Sequence, residues 1–389
     1  MRWVSVIGVS LWATAAAAQG CGGSFGGFVS EMKAEARAMG YPAAVVDGFF
    51  DGVSQNQSVL ASDRRQGIFQ KDFIDFSQSL ISQYRLQKGA ENAQRYDAVF
   101  DAIEQRYGVP RGVLLAFWAF ETDFGAFQGD INTRDALVTL AHDCRRPELF
   151  RPQVFAALEL YRRGGMDPQG TTGAWAGEIG QVQMLPEDIL ENGVDADGDG
   201  RVDLKGSAPD ALFSAARMLS GLGWRAGEPW LQEVVIPERL DWSETGIEQS
   251  KRVSDWARLG VKARSGALPN GGLSASLLLP MGHKGPAFLA YPNFNVYFEW
   301  NQSMVYVTTA AYFATRLSGA PIYDTRNPDP GLTGPEMQEL QRKLQARGHD
   351  VGGIDGILGA GTRGAVQIEQ KRLGLPADAW PTRALLERL

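Results

Sequence analysis

Pro110-Arg111-Gly112-Val113-Leu114-Leu115-Ala116-Phe117-Trp118-Ala119-Phe120-Glu121-Thr122-Asp123-Phe124-Gly125 is a run of large apolar side chains that ends on two acids. Pro110 suits the first turn of a helix and Gly125 its end, so the run predicts a buried helix. Leu114, Phe117, Trp118 and Glu121 fall at i, i+3, i+4 and i+7, which sets the carboxylate on the face of an apolar stripe. A carboxyl group there loses hydration. Lost hydration penalises the charged form and raises the pKa, so a glutamic acid can stay protonated near neutral pH and donate to a leaving oxygen. The competing reading is a helix-terminal Glu that is solvated or paired with arginine, since structural ion pairs perturb carboxylates as well.

Outward from this helix the chain reads as mainly helical. Residues 28–107 carry helical apolar spacing, as at Phe69, Phe73, Phe76 and Leu80. Further helices are expected over Leu149–Tyr161, Asp210–Gly221 and Met304–Leu317, with loops and short strands over 230–279. Pro321, Pro328, Pro330, Gly331, Gly334 and Pro335 mark a linker, placed at 321–334. Beyond it, Met337, Leu340 and Leu344 form one stripe of a helix over 336–347. A Gly-rich turn follows at 352–356, a second helix starts at Thr362, and Thr382 caps a third. So few large apolar side chains make a small three-helix module over 335–389, behind a large domain over 22–320.

The chain has 389 residues, 44% apolar and 21% charged, with 46 glycines and 19 prolines, which excludes a disordered or low-complexity protein. A net charge of −7 supplies no bulk attraction to polyanions, so nucleic acid is not an expected partner. Met1-Arg2-Trp3 followed by an apolar run from Val4 to Ala18 reads as a secretory signal peptide over 1–18, too short for a membrane span of ~20 residues. Export to the periplasm is the expectation. Cys21 and Cys144, the two cysteines, then most simply pair in an oxidising compartment, closing a long loop worth about 4 kcal/mol. The rival is a lipidated Cys21, against which Ala18-Gln19-Gly20-Cys21 lacks the leucine usual in a lipoprotein signal.

Glu121-Thr122-Asp123-Phe124-Gly125, then Gly173-Ala174-Trp175-Ala176-Gly177-Glu178-Ile179-Gly180-Gln181-Val182-Gln183-Met184-Leu185-Pro186, and later Gly223-Trp224-Arg225 with Trp230 and the segment Asn293-Phe294-Asn295 to Trp300-Asn301-Gln302-Ser303, together resemble the lytic murein transglycosylase B family in order along residues 25–317. Asp355-Gly356-Ile357-Leu358-Gly359-Ala360-Gly361-Thr362-Arg363-Gly364-Ala365-Val366 with Gln370 resembles the small peptidoglycan-binding module fused to cell-wall enzymes. The resemblance implies a mainly α, lysozyme-like (α+β) catalytic domain, peptidoglycan glycan strands as substrate, and no cofactor for the chemistry; it names no protein partner. It also implies one catalytic acid, carried over to Glu121. That acid protonates the oxygen between N-acetylmuramic acid and N-acetylglucosamine, then helps the muramyl 6-hydroxyl attack the anomeric carbon to leave a 1,6-anhydro end. Ordinary glycosidases need two carboxylates, so one suffices only where the substrate supplies the nucleophile.

By the same resemblance Gln183 and Asn301 line the sugar groove, while Trp300 stands where a tyrosine is common and Ala174 where some members have serine. Trp175, Phe124 and Trp224 are aromatic candidates for stacking on sugars, although buried aromatics more often simply pack. Glu178 is a second carboxylate: at ~6.5–9.5 Å across the sugar from Glu121 it would allow inverting hydrolysis, whereas nearer by it would raise the Glu121 pKa. The rival functions are therefore a hydrolytic muramidase and an inactive wall-binding scaffold.

Asp195, Asp197, Asp199, Arg201 and Asp203 occupy positions 1, 3, 5, 7 and 9 of a calcium loop, with Gly200 at position 6. Gly206 replaces the usual Glu at position 12, and Asp210 is the candidate to close the shell around a structural Ca²⁺. The alternative is an Asp/Gly turn whose carboxylates cap backbone amides. His142, His283 and His349 have no zinc-ligand spacing.

Overall fold

The computed structural model describes residues 21–64 and 71–389. The expected signal peptide over 1–18, and Phe69, lie outside the described residues. Among the described residues six helices, α1 (Phe25–Ala38), α2 (Ala43–Phe50), α3 (Gln57–Arg64), α4 (Phe73–Leu80), α5 (Gln83–Arg95) and α6 (Asp97–Tyr107), precede the apolar helix α7 (Arg111–Thr122). Then come α8 (Thr133–His142), α9 (Pro147–Arg162), α10 (Pro186–Asn192) and α11 (Ala208–Gly221), with β1 (Ile131–Asn132) paired to β2 (Thr172–Gly173). The fold is helix-rich, as the spacing predicts.

Every side chain from Val113 to Ala119 is buried, so α7 forms the axis of the large core. Pro110 sits at the N-cap rather than inside the first turn. The C-terminal end is more elaborate than one glycine stop: Asp123, Phe124 and Gly125 all take left-handed backbone, at φ 52, 61 and 85°. Asp123 is held there by Arg85, whose Nε donates to its Oδ1 at 3.0 Å. The Thr122 hydroxyl donates to the Gln181 carbonyl at 2.6 Å and accepts from the Gly125 N–H at 2.8 Å. Gly125 takes a backbone conformation that L side chains rarely adopt, and a Cβ there would lie 2.7 Å from Gln181 Oε1 and displace that side chain.

The loops and short strands expected over 230–279 are present, and the strands join with one more into a single sheet. β3 (Leu231–Val235), β4 (Ser250–Arg252), β5 (Lys262–Ala263), β6 (Ser274–Leu278) and β7 (Phe288–Ala290) form an antiparallel sheet in the order β4-β6-β7-β3-β5, with α12 (Val253–Arg258) against it. Leu278, Phe288 and Ala290 face the large core, while Leu277, Leu289 and Tyr291 face a second core around Trp242 and Trp256. With apolar residues on both faces, the alternating pattern that announces a half-exposed strand is missing. α13 (Pro292–Trp300) and α14 (Met304–Leu317) follow, and α14 packs along α7, where Phe313 stacks on Phe120 at 5.0 Å.

Residues 321–333 form neither helix nor strand, yet they are laid down on the large domain: Tyr323 is buried and its hydroxyl lies 2.8 Å from Ser77 Oγ. The C-terminal module consists of α15 (Gly334–Ala346), α16 (Ala360–Arg372) and α17 (Arg383–Leu386) around Met337, Leu340, Leu344, Val366 and Leu385. It docks on the β-sheet region. Gln367 Nε2 donates to the carbonyls of Trp242 and Thr245, and Arg363 Nη2 to that of Pro280. Cys21 and Cys144 form a disulfide across a sequence separation of 123. Among the described residues no helix is long and apolar enough to cross a membrane.

Candidate active site

Glu121 lies in the last turn of α7 and is half-buried. Its Oε1 accepts two hydrogen bonds, from the Tyr306 hydroxyl at 2.6 Å and from the Trp300 indole Nε1 at 3.0 Å. Burial raises its pKa to about 7; the Tyr306 and Trp300 hydrogen bonds, which favour the carboxylate, act downward against it, and the nearby charge of Glu178 adds a smaller upward push. Arg85, the adjacent guanidinium, is committed to Asp123. Among the described residues no cation pairs with Glu121 to hold it ionised.

Two helix ends place the partners. Trp300 is the last residue of α13 and packs its ring on Phe117 of α7, 4.5 Å between centroids. Asn301 Oδ1 accepts from the Ser303 N–H at 2.9 Å, and Ser303 is the N-cap of α14, which carries Tyr306 in its first turn. Burial and the facing Glu121 carboxylate keep the Tyr306 phenol well above its ordinary pKa, so it is an O–H donor across the working range of pH. Sequence reasoning did not single out Tyr306. The signal available was its position three residues beyond the quoted Trp300 to Ser303 segment, in a helix with an ordinary serine cap.

The loop from Ala174 to Leu185 is clamped to α7 through Gln181 and closed by a bridge between Ile179 and Met184. Gln183 has a φ of 52°, and its side-chain amide donates to the Gly180 carbonyl at 2.7 Å and the Gln128 carbonyl at 3.4 Å, so its N–H groups face protein. Glu178 has a raised pKa, chiefly from burial, and its Oε2 has no hydrogen-bond partner among the described residues. Trp175 is half-buried against the large core, and Phe124 meets Trp118 edge-on at 5.6 Å. Trp224 is buried and donates to the Gly108 carbonyl at 2.8 Å, a packing role. A cavity of about 910 Å³ opens between α13 and the C-terminal module, lined in part by Asn295, Glu299, Gln302, Met337 and Leu358.

Away from this centre, carboxylate oxygens of Asp195, Asp197 and Asp210 lie within 4.8 Å of one another. Asp210 is buried and binds the loop with both oxygens, accepting from the N–H groups of Ala196 at 2.8 Å and Asp203 at 2.9 Å. Asp195, Asp197, Asp199 and Asp203 all accept from backbone amides of the loop, and the Arg201 side chain pairs with Asp199. Three carboxylates supply hard oxygen donors of the kind calcium takes, but only part of the roughly six to eight that complete its shell. The five alternating positions do not all converge.

Residues 24–315 match the transglycosylase SLT domain, and residues 333–389 a putative peptidoglycan-binding domain. The chain belongs to the transglycosylase SLT family. Structures of SltB3 from Pseudomonas aeruginosa, in complex with NAG-NAM-pentapeptide and with NAG-anhNAM-pentapeptide, superpose with a TM-score of 0.86 at 36% identity; the match to the second of these covers 94% of this chain and 99% of SltB3. The soluble lytic transglycosylase SltB1 from the same organism gives 0.66 at 26%, over 75% of this chain and 98% of that one. The membrane-bound lytic murein transglycosylase B of Escherichia coli (strain K12) is 26% identical over 235 residues, 60% of this chain and 64% of its own length. This transglycosylase SLT chain thus combines the family domain with a peptidoglycan-binding domain docked against it.

Proposed function

We propose that this chain is a lytic transglycosylase that cleaves the β-1,4 bond between N-acetylmuramic acid and N-acetylglucosamine of peptidoglycan and leaves a 1,6-anhydromuramyl end. The observation that carries the reading is the carboxyl group of Glu121, whose pKa burial raises to about 7, facing two neutral donors and no cation, with the buried Glu178 carboxyl nearby. Protonated, Glu121 gives its proton to the departing oxygen as the bond to the anomeric carbon breaks. The carboxylate so formed takes the proton of the muramyl 6-hydroxyl as that oxygen bonds to the anomeric carbon, and no water is consumed. A pKa of about 7 suits a group that must both give and take a proton near neutral pH.

The C-terminal module, in this reading, holds the enzyme on its insoluble polymer and raises the local concentration of glycan. The apolar run from Val4 to Ala18 and the Cys21–Cys144 disulfide support export to the periplasm. Asp195, Asp197 and Asp210 would hold a structural Ca²⁺, which ties the loop to α11 and takes no part in bond breaking.

Mass spectrometry of sacculi digested in ¹⁸O-labelled water tests the proposal. Anhydro ends free of label are expected; a reducing muramic acid end that carries ¹⁸O would identify hydrolysis, with Glu178 as the candidate base. Glu121→Gln should bind sacculi and release product about 10² to 10⁴-fold more slowly.

A further inference from the structure

Both hydrogen bonds to Glu121 converge on one oxygen, Oε1, and they come from different donors. A phenol can donate or accept, so Tyr306 alone would tolerate a proton on either carboxyl oxygen. An indole N–H can only donate. Were neutral Glu121 to carry its proton on Oε1, that O–H would be set against the Trp300 N–H at 3.0 Å. We propose that Trp300 is a positioning residue that confines the transferable proton of Glu121 to Oε2, so that the acid always presents its O–H to the substrate and receives the second proton at the same oxygen.

The inference deepens the transglycosylase reading and rests on it. In the first half of the reaction Oε2–H protonates the leaving oxygen, and the electron pair of the breaking glycosidic bond stays with that oxygen. The negative charge that remains on Glu121 is received at Oε1 by two donors already in place, a preorganised arrangement that needs no side chain to move. In the second half Oε2 takes the proton of the 6-hydroxyl as the new carbon–oxygen bond forms, which restores the starting acid. Trp300 is fixed for this task at the end of α13 by its packing on Phe117. The other groups that face Glu121 are the Tyr306 phenol on α14 and the Glu178 carboxyl on the 174–185 loop, with the Arg85–Asp123 ion pair beside them.

The test compares Trp300→Phe, and replacement of Trp300 by 3-benzothienylalanine, which keeps the bicyclic shape and loses only the N–H, with the unaltered enzyme on purified sacculi and soluble glycan chains. Loss of one donor to the carboxylate should shift the basic limb of kcat/KM upward by about one to two pH units. kcat should fall about tenfold or more while KM changes by less than about twofold. A fall in kcat with the limb unmoved would reduce Trp300 to packing and overturn the inference. So would a raised KM with the limb unmoved, which would make Trp300 a sugar contact. Glu121→Gln, run alongside, separates the two levels. If it forms anhydro ends as fast as the unaltered enzyme, Glu121 is not the acid and the reading on which the inference rests fails; if its turnover collapses and the Trp300 variants leave the limb in place, only the role of Trp300 fails.

Discussion

Glu121 and Asp378 are carboxyl groups embedded in protein, one in the large domain and one in the C-terminal module, and their surroundings push them in opposite directions. At both, burial disfavours the charge. Glu121 meets two neutral donors on one oxygen and ends with a pKa of about 7. Asp378, on the docking face of the C-terminal module, accepts from the backbone N–H of His283 at 3.0 Å, Gln370 Nε2 at 3.0 Å and the backbone N–H of Trp380 at 3.1 Å, and its Oδ2 lies 2.6 Å from His283 Nδ1. Burial still pushes it up, but the hydrogen bonds outweigh it and hold the carboxyl below its ordinary range. Burial alone therefore does not make a catalytic acid. What separates the two is how many donors each oxygen receives and whether a group able to carry positive charge stands opposite.

The largest expected break in that contrast is Glu121→Gln, which should cut turnover by about 10² to 10⁴-fold with the circular dichroism spectrum unchanged. The same variant tests the energetics. Because the folded pKa of Glu121 lies above its ordinary value, its contribution to stability is full at acid pH and is lost as pH rises through about 7. Glu121→Gln should therefore raise Tm more at pH 8 than at pH 5, as read by differential scanning calorimetry. In the intact enzyme kcat/KM should decline as pH rises through 7, where Glu121 loses its proton.

Asp378→Ala comes next. It strips His283, Gln370 and the Trp380 N–H of their acceptor and leaves Arg363, whose guanidinium is buried beside it, without the nearby charge that supports it. The expected cost is about 2–4 kcal/mol of docking, read as protease cleavage within 321–333 and a larger radius in small-angle scattering. Asp378 has a lowered folded pKa, so its stabilisation is present above the usual aspartate range and fades as pH falls through the folded value; the unaltered protein should release its module only in acid. The smallest effect is expected at the acidic loop: adding Ca²⁺ should raise Tm by a few degrees and Asp210→Asn should abolish that rise, with the product spectrum unchanged.

The apolar helix, the terminal glutamate and the order of the motifs were legible because each depends on neighbours a few residues away, where spacing is a direct consequence of helical geometry. Short strands were expected over 230–279, but their boundaries and their pairing into one sheet were not legible, since two buried faces erase the alternation of a strand. The 321–334 segment reads as a linker by its prolines, yet Tyr323 anchors it in the core.

The sequence by itself determined that a carboxylate would stand at the end of a buried helix and that a small helical module follows. Only the tertiary structure decided that Tyr306 and Trp300, more than 170 positions downstream, both point at one oxygen of Glu121, and that Asp378 is drawn the other way by His283. The reason is physical: a pKa is set by the donors and charges within a few ångströms, and these come from segments far apart in the chain, brought together by packing that no local periodicity records.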